Sequence, residues 1–122
     1  MPFDRIDAHQ HFWKFDAIRD SWINEDMGIL KNDFLPVQLA SLLKENSIDG
    51  SVVVQSDQSE KENIFQLKNA AENDFIKGVV GWVDLQSANI ENRLVYYQQF
   101  KKLKGFRHVL QSETQTDLML TP

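Results

Sequence analysis

The sequence predicts an α/β fold built on a parallel sheet, and three observations carry the prediction. Short runs such as Ser51-Val52-Val53-Val54-Gln55 are apolar on both faces, as strands covered by helices on each side are. Stripes of apolar residues at helical spacing alternate with these runs. The connections are long enough for each strand to return parallel to the last through a crossover. Together they give the order strand, helix, strand, helix, strand, helix, strand. At 122 residues, 42% hydrophobic and 25% charged, the chain has the balance of one soluble globular domain, residues 1–122.

The first strand lies in Arg5-Ile6-Asp7-Ala8-His9-Gln10-His11-Phe12-Trp13. Residues 14–33 then form a long connection that holds Phe15, Trp22 and, near its end, Gly28. Connections of this length without periodicity are commonly lids or binding loops, or loops pinned by aromatic anchors. Pro36 suits the first position of a helix whose stripe is Leu39, Leu42 and Leu43 and which ends near Asn46. The second strand closes at Gln55. Ser59 and Glu62 have the spacing of a capping box, opening a helix with the stripe Ile64, Leu67 and Ala71 and an end by Asn73. The third strand reads from Ile76 to Leu85, with Val79, Val80, Trp82 and Val83 buried and the chain emerging at Asp84. Ile90, Leu94 and Tyr97 mark a third helix, with Lys101, Lys102 and Lys104 near its end, where cations suit the helix dipole. Gly105 to Leu110 is the fourth strand, and Gln111 to Pro122 reads as a polar tail.

Composition narrows the function. A net charge of −5, with no basic cluster beyond those three lysines, argues against a nucleic-acid partner, because phosphate neutralisation needs a basic face. No apolar run is long enough to span a bilayer, and the N-terminus is acidic where a signal peptide is basic and then apolar, so a cytoplasmic setting without a membrane partner is expected. The absence of cysteine removes thiolate metal sites and cysteine nucleophiles.

In parallel α/β sheets and barrels, ligands bind at the carboxyl ends of the strands. Here those ends carry His9 and His11, Gln55, Trp82 and Asp84, and Arg107 and His108. Side chains two apart on a strand share a face, so His9 and His11 aim at one point with Asp7 one step deeper, where it could orient a ring nitrogen. Two converging imidazoles can hold a divalent metal, polarise a carbonyl or pass a proton near neutral pH. Plainer readings stand beside these: Asp84 as the start of a turn, His108 as a satisfied core histidine, Gln55 as a cap on a backbone group. Arg107 and His108 alternate faces, so at most one enters the site.

Five blocks extend this reading: Asp7-Ala8-His9-x-His11-Phe12-Trp13, Asp33-Phe34-x-Pro36, Asp49 to Gln55, Gly78 to Leu85, and Lys104-Gly105-Phe106-Arg107-His108. In this order they resemble the amidohydrolase-related sugar-lactonase family of TIM-barrel hydrolases. The resemblance implies an enzyme of carbohydrate metabolism that opens a sugar-acid lactone, of the L-fucono or L-rhamnono kind, by attack of water on the ring carbonyl. It gives His9 and His11 the family's first-strand pair, which either binds one divalent metal, zinc foremost, or works without metal by donating hydrogen bonds to the carbonyl. Gln55, Asp84 and His108 stand as substrate-binding candidates from their strand-end positions, and the resemblance suits Arg107 to a carboxylate or lactone oxygen and Trp82 to stacking on a sugar ring.

The length departs from the family. A (β/α)₈ barrel takes about 250 residues, and the family's later histidine and its final-strand aspartate have no counterpart here. The expected fold is therefore a partial TIM-type barrel of four strands and three helices, the N-terminal half of the whole. Interior faces of the strands, Val53 and Val80 among them, would then need a C-terminal half or a second copy of the chain to cover them. Other functions compatible with the His-x-His start are a metal-dependent decarboxylase or another hydrolase of the amidohydrolase superfamily, and a non-catalytic subunit of an assembly.

Overall fold

A computed structural model describes residues 4–111, 113 and 118–120. Four strands, β1 (Ile6–Gln10), β2 (Gly50–Val54), β3 (Ile76–Gly81) and β4 (Leu103–Phe106), pair in parallel in the order β1-β2-β3-β4. Three helices connect them: α1 (Pro36–Glu45), α2 (Glu60–Glu72) and α3 (Ile90–Tyr97). The α/β class and the element order are those read from the sequence. Among the described residues no helix is long and apolar enough to cross a membrane.

Boundaries moved where side chains capture the backbone. β3 stops at Gly81 because the Asn63 amide takes both backbone groups of Trp82, accepting its N–H at 2.8 Å and donating to its carbonyl at 2.7 Å. β4 begins at Leu103 rather than Gly105, and its ladder closes with the Arg107 N–H donating to the Gly81 carbonyl at 2.9 Å. The lysines consequently lie beyond α3, which ends at Tyr97. Lys102 donates to the Ala70 carbonyl at 2.7 Å, and Lys104 sits within β4. Of the stretch read as a polar tail, Leu118–Leu120 forms a 3₁₀ turn, and 112, 114–117, 121 and 122 lie outside the described residues.

The core gathers Phe12, Val53, Ala70, Ile76 and Val79, with Leu39, Phe65, Leu67, Phe75 and Leu103 packed around it. Val53 pairs in register with Val79 and is fully buried, so it is not an open barrel-interior position, whereas Val80 is half-buried. In α1, Leu43 is buried and Leu42 faces out. The inward face of α2 is only partly the apolar stripe: Leu67 packs against the core, but Ile64 is 68% exposed and Ala71 is exposed, while Glu62, Asn63, Gln66 and Ala70 are buried. Buried polar groups persist where partners satisfy them, and these partners are the strand-end segments. Glu62 Oε2 accepts the N–H groups of Ser56 and Asp57, each at 2.8 Å, and Gln66 donates to the Phe12 carbonyl at 2.8 Å. Only half of the expected capping box forms, because the Glu62 N–H donates to Ser59 Oγ at 3.3 Å while the Glu62 carboxylate is taken up by the loop after β2.

α1 ends in a Schellman motif. The Ile48 N–H donates to the Leu43 carbonyl at 2.9 Å and the Ser47 N–H to the Lys44 carbonyl at 3.2 Å, with Ser47 left-handed at φ 56°. Glycine adopts that conformation without the Cβ penalty. Ser47→Gly is expected to leave the fold unchanged and to stabilise it by up to about 1 kcal/mol, the left-handed penalty less the added freedom of the unfolded chain. Urea unfolding checks this, and a destabilisation would contradict it.

Candidate active site

His9 lies where the register between β1 and β2 shifts, between Asp7 and Gln10. Its backbone N–H turns to Asp7 Oδ1 at 3.1 Å. Asp7 therefore holds the backbone and orients neither ring. His11 follows the strand, and its Nδ1 lies 2.8 Å from the Val54 carbonyl. A carbonyl only accepts, so Nδ1 carries the proton and, in the neutral ring, the lone pair sits on Nε2. That atom faces His9 Nε2 across 3.2 Å, with the ring centroids 5.0 Å apart and the planes at 74°. Burial holds the His11 imidazole below its usual value; the charges of Arg107 and His9 act the same way, and the Val54 carbonyl opposes them.

Two imidazole nitrogens on one tetrahedral zinc, each about 2.0–2.1 Å from it, stand about 3.3 Å apart. The His9 and His11 pair fits such a group as two of its ligands. Among the described residues no cluster of three or more histidine and carboxylate groups completes a metal site.

Beside His11 opens a cavity of about 710 Å³, whose walls include Trp13, Trp22, Ser56, Asp57 and Arg107. The long connection over 14–33 supplies one wall. Its base is closed by Trp13 and Phe34, which exchange backbone hydrogen bonds of 3.0 and 2.8 Å and bring their rings to 4.6 Å. Within it, Arg19 holds the buried Asp20 at 2.6 and 2.9 Å, and this contact keeps the Asp20 carboxyl below the usual carboxylate range. The opposite wall is the loop after β2, fixed by Glu62.

The structure brings His9, His11 and Arg107 to the cavity end of the sheet and sets Gln55 behind Arg107. Gln55 is fully buried, does not line the cavity, and accepts from Arg107 Nε at 3.0 Å through Oε1 and from Nη2 at 2.8 Å through its backbone carbonyl. Trp82 and His108 face each other instead. The indole N–H donates to His108 Nδ1 at 3.0 Å, so Nε2 carries the ring proton and donates to Glu113. Asp84 is exposed and opens a turn, accepting the Gln86 N–H at 3.1 Å. Of the pair Arg107 and His108, Arg107 is the one at the cavity. The cavity residues missed by sequence reading include Arg19, Asp20, Ser56, Asp57 and Gln58. Three of these directly follow the end of β2, where the strand-end rule could have found them.

No protein-family model matches the chain. It is 39% identical over 109 residues to a protein named L-fucono-1,5-lactonase from Burkholderia multivorans, covering 89% of this chain and 36% of the relative. A protein of the same name from Burkholderia ambifaria is 33% identical over 118 residues, covering 97% of this chain and 41% of the relative. Crystal structures of an amidohydrolase from Burkholderia multivorans, one with bound zinc and one with bound HEPES, superpose with a TM-score of 0.90 at 36% identity, again over 97% of this chain and 41% of theirs. The chain thus spans well under half the length of the relatives it matches, and its sheet and helices are those of a partial amidohydrolase barrel.

Proposed function

We propose, for a chain similar to the N-terminal part of the amidohydrolase-related sugar-lactonase family, that the protein carrying it hydrolyses a sugar-acid lactone of the L-fucono kind. The observation that carries this reading is the pair of Nε2 atoms 3.2 Å apart, at the carboxyl end of β1 and beside a cavity. Lactone opening places negative charge on the former carbonyl oxygen, and groups already aimed at that oxygen lower the barrier without reorganising. His9 and His11 are those groups, either as two ligands of a divalent cation through their Nε2 lone pairs or, once His11 carries a second proton on Nε2, as hydrogen-bond donors. Such a cation, when bound, supplies Lewis-acid polarisation. Arg107 binds an oxygen of the lactone and, after ring opening, the carboxylate of the product, and Trp13 and Trp22 shape the cavity around the sugar. Residues 1–122 are the first half of the barrel domain, and the base that activates water comes from strands beyond them, which also cover the outer edges of β1 and β4.

Opening a lactone with water gives a hydroxy acid that releases a proton near neutral pH, so a pH indicator follows the reaction. The full-length protein is expected to open L-fucono-1,5-lactone well above the spontaneous rate, and the 122-residue chain alone to be nearly inactive for want of the base. Absence of proton release by the full-length protein, with and without added zinc, would overturn the proposal.

A further inference from the structure

Two carboxylates line the cavity among the described residues, and their surroundings differ. Asp20 is spent: Arg19 donates to its two oxygens at 2.9 and 2.6 Å, and the Asp16 N–H adds a third bond at 3.0 Å. Asp57 is half-buried, and among the described residues no cation lies within 4.0 Å of it. Its Oδ2 accepts the Ser59 hydroxyl at 2.7 Å, while no described donor reaches Oδ1.

Asp57 is nonetheless held in place. Its backbone N–H donates to the buried Glu62 carboxylate at 2.8 Å, and the Ser59 Oγ that grips its side chain also accepts the Glu62 N–H at 3.3 Å, in the first turn of α2. The next residue in the cavity wall, Gln58, accepts the Val109 N–H through Oε1 at 2.6 Å, and no described acceptor takes its amide N–H groups. One loop thus sets an oxygen that can only accept beside an amide that can donate. The carbonyl and ring oxygens of a lactone only accept hydrogen bonds, so Arg107 can serve them and Asp57 cannot. The donors on a sugar lactone are its ring hydroxyls, and a hydroxyl also accepts.

We infer that Asp57 is a specificity-determining residue whose Oδ1 accepts a hydrogen bond from a ring hydroxyl of the substrate, with the Gln58 amide donating to that hydroxyl or its neighbour. The inference rests on the cavity being the substrate site, and it narrows the substrates to hydroxylated lactones over those without hydroxyls. A hydrogen bond to an ionised acceptor is about twice as strong as one between neutral groups. A site built around a substrate hydroxyl strongly rejects the analogue that lacks it. Asp57 takes no part in making or breaking the ester bond.

The values of kcat/KM of the full-length protein for L-fucono-1,5-lactone and for δ-valerolactone, a six-membered lactone without hydroxyls, test this. Asp57→Ala should lower the ratio of the first to the second by about tenfold or more, as loss of a hydrogen bond to a charged group warrants. Asp57→Asn, which keeps the shape and a neutral acceptor, should fall between, and it decides the matter if Asp57→Ala does not fold. A purely structural role would depress both rates and leave the ratio unmoved. Binding of L-fucose, a neutral pyranose with ring hydroxyls and no ester to open, is followed by tryptophan fluorescence, to which Trp13 and Trp22 of the cavity wall contribute. It should weaken about tenfold in Asp57→Ala, and it decides the matter if δ-valerolactone turns over too slowly to measure. A ratio unaltered in the variants, L-fucose binding that does not weaken, or no L-fucose binding by the wild type would overturn the inference. Lactone opening with an unaltered ratio sinks this inference alone; L-fucose binding that depends on Asp57, without lactone opening, sinks only the lactonase reading.

Discussion

His11→Ala in the full-length protein is expected to lower turnover of the lactone by about a hundred- to a thousandfold, the range seen when one oxyanion-stabilising group is removed. The loss should fall on kcat more than on KM, because the group acts on charge that exists only after water has attacked. The partner ring gives a sharper criterion. With their Nε2 atoms 3.2 Å apart, His9 and His11 serve one point, so His9→Ala added to His11→Ala should cost little more than either change alone. Steady-state rates of the two single variants and the double variant check this. A loss smaller than roughly threefold in His11→Ala would remove the pair from the reaction.

Asn63→Leu should destabilise the fold by about 3 kcal/mol, with the two partly buried backbone groups of Trp82 losing their partners at about 1–3 kcal/mol each. Asn63 is fully buried, and its amide is the two-point clamp on Trp82. Gly81 belongs to the same device: a Cβ there would collide with Asn63 Oδ1, so only glycine lets the helix side chain come close enough to reach the next residue's backbone. Gly81→Ala is therefore expected to be costly in the native background and much cheaper beside Asn63→Ala, where the obstructing atom is gone. A double-mutant cycle from urea unfolding measures that coupling. Asn63→Leu within about 0.5 kcal/mol of the native protein would show that Trp82 does not depend on the clamp.

What the sequence discloses here follows the range of the physics involved. The paired histidines were legible because alternation along a strand is local, and the parallel order was legible from apolar runs and connection lengths. The buried face of α2 was not. Apolar periodicity selects Ile64, Leu67 and Ala71, but Glu62, Asn63 and Gln66 turn inward because strand-end backbone groups await them, and a pattern of hydrophobicity cannot register burial satisfied by hydrogen bonds. Gln55 and Arg107 were both legible as strand-end residues. Their mutual contact was not, since β2 and β4 are separated by β3 and only the length of the arginine side chain spans the gap. Likewise, the resemblance suggested Trp82 for sugar stacking, but Trp82 does not line the cavity and its indole N–H donates to His108.

The order β1-β2-β3-β4 also bears on how the chain acquires this structure. Each strand pairs with the one made just before it, so within the described sheet no pairing waits for a segment synthesised later. The entropy of closing each loop is met one crossover at a time, and it rises only slowly with loop length. The α2 side chains then lock a growing edge: Gln66 reaches back to Phe12 after β1, Glu62 to the turn after β2, and Asn63 forward to Trp82 after β3. A chain emerging from the ribosome can thus build this sheet vectorially, with α2 as the ratchet that fixes two finished strand ends before it captures the third.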